Sequence, residues 1–236
     1  GTLGPTGGLS GDMVIGEEWG TREGANLFHS FLSFNIFTGE SVLFTSSFAG
    51  PTNHVIARVT GGQESLIDGP LGVDIPGASL WLVNPSGMVF GEGAQVDVQG
   101  AFTATTADYL LLENGGRFAA NPADLQGTVL TMGNPTGFGF LGANPASIRL
   151  EGAEINAGAG GSITLVGGDV ELRDSRLAAE GGTVDLAAVA GPGDVLIRPD
   201  GLDVSGVPGR ADIRLSASAI DTDGDGGGRI RIVGRE

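Results

Sequence analysis

The sequence contains no cysteine and no lysine: its 12 basic residues are all arginine, set against 28 acidic ones for a net charge of −16. Without cysteine there is no disulfide framework and no Cys-based zinc site. A surface this acidic repels a phosphate backbone, so nucleic acid is not an expected partner. Arginine keeps its charge where lysine titrates, which suits a salty or alkaline exterior, although a GC-rich coding sequence produces the same composition. No run reaches 18 apolar residues, so no helix is expected to span a membrane.

What the chain does have is glycine, 44 of 236 residues against an average of about 7%, with no collagen-like period. Since 40% of the residues are hydrophobic, disorder is not expected. The combination fits many short strands joined by tight turns, where glycine supplies positive φ or close backbone approach. The C-terminal third is the most regular part. Strands are expected to begin near Ile163, Val184, Ile213 and Ile230, with further short strands at Val170–Leu172 and Val195–Ile197. A repeating Gly-Gly-x-Ile/Val-x-Leu/Ile signature, without helices between the strands, reads as a parallel β-helix. The spacing is too short for propeller blades, and a β-sandwich is the alternative on strand count alone.

The N-terminal stretch "NLFHSFLSFNIFTGESVLF" holds phenylalanines at 28, 31, 34, 37 and 44 and is a candidate lid over one open end of such a solenoid. Leu32, Phe34 and Ile36 are expected to alternate on one face of a strand, with Phe31 and Phe37 on the other. "NPADL" at 121–125 reads as one turn of helix. No linker-like break in composition interrupts the chain, so a single domain over 1–236 is expected.

Catalytic chemistry is hard to find. His29 and His54 lie 25 residues apart, each without a neighbouring carboxylate, and read as histidines satisfied by local hydrogen bonds. "GFGFLG" at 137–142 matches a dinucleotide glycine pattern, but Pro145 forbids the helix that should follow. Asp221, Asp223 and Asp225 open like a calcium loop, yet Ile232 stands where the bidentate Glu belongs. A turn between coils is the simpler reading. Glu17-Glu18 is a carboxylate cluster without an evident partner for glycoside hydrolysis. Trp19 and Trp81 could stack on sugars, but the apolar strand around Trp81 favours packing.

The stretch "LWLVNPSGMVFGEGAQVDVQG" at 80–100 is two apolar runs pinched around Asn84-Pro85-Ser86-Gly87. Asn first, Pro second and Gly fourth suit a type I turn. Together with "GANLFHSFLSFNIFTGESVLF", "ARVTGG" at 57–62 and "GNPTGFGFLG" at 133–142, it closely resembles the secretion domain of two-partner secretion exoproteins, the filamentous haemagglutinin N-terminal family. The resemblance covers residues 24–142 strongly. It implies an all-β fold, a right-handed parallel β-helix with an N-terminal cap and extra-helical strands. Residues 1–50 would form the cap and first strands, 51–145 the family core and 146–236 the regular coils.

It also implies export from a Gram-negative bacterium, through the periplasm to the cell surface. A barrel transporter of the outer membrane would recognise the domain through periplasmic POTRA domains. No enzymatic activity, cofactor or metal is implied, a monomer is expected, and contacts with host or surface glycans would belong to downstream cargo. The family's tetrapeptide is Asn-Pro-Asn-Gly, so Ser86 departs from it, and a second family motif, Asn-Pro-Asn-Leu, has no clear copy. The residues implied for recognition or folding are Asn84, Pro85, Ser86 and Gly87, with Asn26, Leu27, Phe28, Phe31 and Phe34 as an aromatic cap. The alternative is a carbohydrate-binding or polysaccharide-cleaving β-helix.

Overall fold

The computed structural model describes residues 8–235; residues 1–7 and 236, inside the expected domain bounds, lie outside the described residues. Three parallel sheets wrap a common interior. Chain order through one coil shows the plan: Pro70–Asp74 lies on face one, Ser79–Val83 on face two, Met88–Phe90 on face three, and Gln95–Val98 returns to face one beside Pro70–Asp74. Strands begin and end at glycine-rich or polar corners because each face accommodates only three to eight residues before the chain must bend.

Register follows from the period of two. On face two, Val55, Leu80, Phe102, Ile163 and Val184 are successive register partners pointing inward. Ala57, Leu82, Ala104, Leu165 and Leu186 form the next inward row. A one-residue slip would turn both rows to solvent, so burial fixes the register. Each large side chain so buried contributes about 1.5–3 kcal/mol.

At the corners, coils approach closely enough to require glycine. A Cβ on Gly182 would lie 1.8 Å from the Gly161 carbonyl oxygen, and one on Gly161 would lie 2.7 Å from that of Gly100. Gly182→Ala must therefore push two coils apart. It is expected to cost about 1–3 kcal/mol, the range for overpacked sites, read as a lower thermal midpoint.

Two excursions leave the coil at the same corner, between faces two and three. One comprises Tyr109–Leu112, Gly116–Ala119 and Pro135–Phe140; the other is the hairpin Gly193–Arg198 with Gly201–Asp203. They pair antiparallel with each other, Phe138 opposite Val195, into an outer sheet. A second core lies between this sheet and the outer surface of face two, with Phe28, Ile56, Val83, Val166 and Ala187 beneath Phe118, Phe138 and Phe140.

The strands expected near Ile163, Val184 and Ile230 all lie on face two. Ile213, by contrast, pairs with Val170 on face three. Val195–Ile197 belongs to the outer hairpin rather than to a coil. The alternation expected for residues 32–37 also fails. The strand Asn26–Phe31 ends at a bend, leaving Leu32 and Phe37 exposed while Phe34 and Ile36 turn into the core. Within that stretch, Asn26–His29 is the part buried on both sides. "NPADL" falls in a 3₁₀ segment, Pro122–Gly127. Among the described residues no helix is long and apolar enough to cross a membrane.

Candidate functional site

Asn84 follows the last residue of strand Ser79–Val83 and is fully buried. Its backbone turns the chain: the Gly87 N–H donates to the Asn84 carbonyl at 3.1 Å, closing a four-residue turn. The side chain adds an Asx turn, with the Ser86 N–H donating to Oδ1 at 2.9 Å. Nδ2 reaches back to the preceding coil, donating to the Gln63 carbonyl at 2.9 Å and to Ser65 Oγ at 3.0 Å. The Asn84 N–H donates to the Thr105 carbonyl of the following coil at 3.0 Å. One residue thus joins three coils. Gly87 takes φ +106°, and a Cβ there would crowd Glu64 Oε1 and the Ser147 carbonyl at 3.1 and 3.2 Å. Pro85 and Ser86 are half-buried at the surface, and the Ser86 side chain adds no hydrogen bond.

The aromatic residues divide by alternation. His29 and Phe31 point toward Phe44, with ring centroids 5.3 and 6.4 Å from it. Phe34 joins them, 5.0 Å from Phe31. Phe28 points outward instead and meets Phe118 of the outer sheet at 4.9 Å. Leu27 is fully buried beneath Gly20. Asn26 donates through Nδ2 to the Gly133 carbonyl at 2.7 Å and to that of Thr131 at 3.3 Å. Antiparallel pairing of Thr21–Glu23 with Asn26–Phe31 closes this end of face two.

Arg58, which the sequence did not single out, completes the attachment of the outer sheet. Its guanidinium stacks on Phe118 at 4.3 Å, donates to Ser30 Oγ and Thr128 Oγ1 at 2.8 Å each, and bonds the Ala119 carbonyl. The four quoted sequence blocks therefore meet in space. Asn26 touches the block at 133–142, and Arg58 and Phe28 grip the strand Gly116–Ala119.

His54 is satisfied as expected: Trp81 Nε1 donates to its Nδ1 at 3.3 Å, and its Nε2 meets Asn134 Oδ1 at 3.2 Å. His29 is not. Both of its ring nitrogens are buried without a well-formed hydrogen bond, and burial pushes its pKa down to about 4, with the Trp19 backbone opposing the shift. Its ring packs instead against Phe31 and Phe44.

Glu17 is held by Arg22, Ser46 and Ser47 at 2.8, 2.6 and 2.9 Å, and these donors, Ser46 first, lower its pKa to about 2. A carboxylate so engaged is poorly suited to proton transfer. Asp221 pairs with Arg176 at 2.8 Å and accepts from the Asp223 N–H at 3.1 Å. Gly226 and Gly227 nearby take positive φ, as a tight turn requires. Among the described residues, no group of three or more His, Cys, Asp or Glu side chains is arranged to hold a metal ion. "GFGFLG" lies in the outer strand Pro135–Phe140 and the residues just after it, not at a helix start.

The model of the TPS secretion domain family matches residues 11–232. The chain belongs to the TPS secretion domains. In sequence this TPS domain is similar to the heme/hemopexin-binding protein of Haemophilus influenzae (strain ATCC 51907 / DSM 11121 / KW20 / Rd), at 32% identity over 145 residues, 58% of this chain and 15% of that protein. In structure it is similar to the HMW1 secretion domain from Haemophilus influenzae, with a TM-score of 0.54 and 20% identity, covering 89% of this chain and 58% of the other. The TPS domain thus spans 15% of the length of its curated relative. TPS secretion domains engage an outer-membrane transporter, and their exoproteins are secreted by Gram-negative bacteria.

Proposed function

We propose that this TPS domain is the export unit of a larger exoprotein. The POTRA domains of an outer-membrane barrel transporter bind it in the periplasm, and it folds from the Asn84 corner once it reaches the cell surface. Residues 1–236 act as one monomeric unit with no catalytic activity, and adhesive contacts with host or surface glycans rest mainly with downstream cargo. The observation that carries this reading is the buried Asn84 amide, whose bonds to Gln63, Ser65 and Ser86 are complete only when coils stack. Such a residue suits a point where a chain emerging in sequence must begin to fold. Half-buried Pro85 and Ser86 are left available to a partner, as is the edge strand Asp12–Ile15, which among the described residues pairs only with Ser41–Thr45. An open strand edge supports docking by strand addition.

The test is a titration of the domain with the isolated periplasmic part of its transporter. Saturable binding is expected, weakened at least tenfold by proline within Asp12–Ile15, which removes a ladder donor. Absence of binding by folded, unfolded and truncated forms alike would sink the reading.

A further inference from the structure

On the outer surface of face two, Ile56, Trp81, Thr103, Thr164, Asp185 and Arg231 are successive register partners. The rungs lie about 4.8 Å apart. The outer sheet covers the apolar row beside them, but along Trp81, Thr103, Thr164 and Asp185 it leaves a cleft of about 250 Å³, bounded by Leu202 of the hairpin and by Arg229.

Asp185 is the anomaly in that cleft. It is only 8% exposed, its Oδ1 is buried without a hydrogen-bond partner, and no cation pairs with its carboxylate. Arg229 and Arg231 lie nearest but donate instead to the carbonyls of Pro199 and Asp200 at the hairpin tip. Burial pushes its pKa up, with the charges of Arg231 and Arg229 opposing the shift. The Thr103 and Thr164 hydroxyls also make no hydrogen bond within the protein. An unpartnered buried carboxylate destabilises a fold, and one lining a cleft beside two free hydroxyls marks a place where a ligand supplies the missing partner.

We propose that this cleft binds a short, neutral, linear saccharide, with one ring against the Trp81 indole and hydroxyls of the next donating to Asp185. The lining selects that chemistry. A fixed carboxylate in a protein of net charge −16 disfavours an anion, and Arg198 and Arg229 in the wall disfavour a cation. A neutral polyol donates to Asp185, accepts from Arg229, exchanges hydrogen bonds with Thr103 and Thr164, and offers an apolar ring face to the indole. The cleft has the size for one enclosed ring, just below the range of about 300–1,000 Å³ for small-molecule sites. Binding here does not depend on the export reading.

A Trp19→Phe variant leaves Trp81 as the single indole reporter. It would be titrated with maltotriose, cellotriose and mannotriose, and with trigalacturonate as the acidic counterpart. At least one neutral trisaccharide is expected to change the Trp81 emission saturably, at roughly millimolar affinity, while trigalacturonate does not. Asp185→Asn should weaken that binding at least tenfold yet raise the melting temperature by about 2–4 °C, because an unpartnered buried charge is gone. Thr164→Val should weaken binding severalfold with the fold intact. Silence from all three neutral sugars, a preference for trigalacturonate, or an Asp185→Asn protein that binds normally or melts earlier would overturn the assignment.

Discussion

Replacing Asn84 by alanine is expected to destabilise the fold by about 3 kcal/mol, more than a hundredfold in the folding equilibrium. The substitution removes two bonds donated by Nδ2 and one accepted by Oδ1, all at a fully buried position. Each such bond contributes about 0.5–1.5 kcal/mol net, and the stranded Ser86 N–H and Gln63 carbonyl then lack partners. Asn84→Asp keeps the acceptor but loses both donors and buries a charge, so it should not rescue the loss. Ser86→Asn, which restores the family letter, should stay within about 0.5 kcal/mol of the parent, because Ser86 contributes only its backbone N–H to the turn. Urea unfolding at unchanged slope separates these cases. An Asn84→Ala protein within 1 kcal/mol of the parent would show, on that same scale of one bond, that the corner holds no coils together.

Acid is expected to weaken the domain through His29 before its carboxylates titrate. The folded pKa is about 4 against an ordinary 6.5, so as pH falls the unfolded chain takes up the proton first. Stability contributed by the neutral imidazole is therefore complete above pH 6.5, declines below it, and levels off below about 4. At 1.36 kcal/mol per unit, the total is about 3 kcal/mol. Burial lowers the pKa of His54 as well, so it adds to the same slope. The Glu17 contribution is lost at lower pH, from the ordinary 4.5 down to about 2. His29→Leu should remove most of the decline between pH 6.5 and 5, measured as denaturation midpoints across that window. A variant that keeps the parent slope would show that the cap does not exclude the charged form.

The coil architecture was legible because its determinants are local. Period-2 alternation marks strands, and glycine pairs mark corners where coils nearly touch, as at Gly161 and Gly182. Which strand belongs to which face was not legible. Ile213 and Ile230 carry the same alternation, and the hairpin at 193–203, inserted after Ala190, hides that Ile213 opens the face-three strand following face two while Ile230 lies further along the coil, back on face two. The Asn84 turn could be read from its four residues, but the reach of its amide to Gln63 and Ser65 depends on coil stacking. Asp185 illustrates the limit most sharply. In "TVDLAAVA" it is an ordinary outward residue of a strand, and it becomes a buried, unpartnered carboxylate where the hairpin that follows folds back beside it. His29 was expected to find local partners, and among the aromatic rings of Phe31 and Phe44 its ring nitrogens make no well-formed hydrogen bond.

Export through the outer-membrane transporter, compared for Asn84→Ala and Leu186→Ala, separates a role of the Asn84 corner in secretion from its role in stability. Leu186 is an interior residue with no part in the corner, and its truncation costs about 2–5 kcal/mol, matching the instability without touching the motif. The export reading predicts that Asn84→Ala lowers the secreted amount at least tenfold while Leu186→Ala, equally unstable, is secreted substantially better. Equal secretion of the two variants, or undiminished secretion of Asn84→Ala, would contradict it.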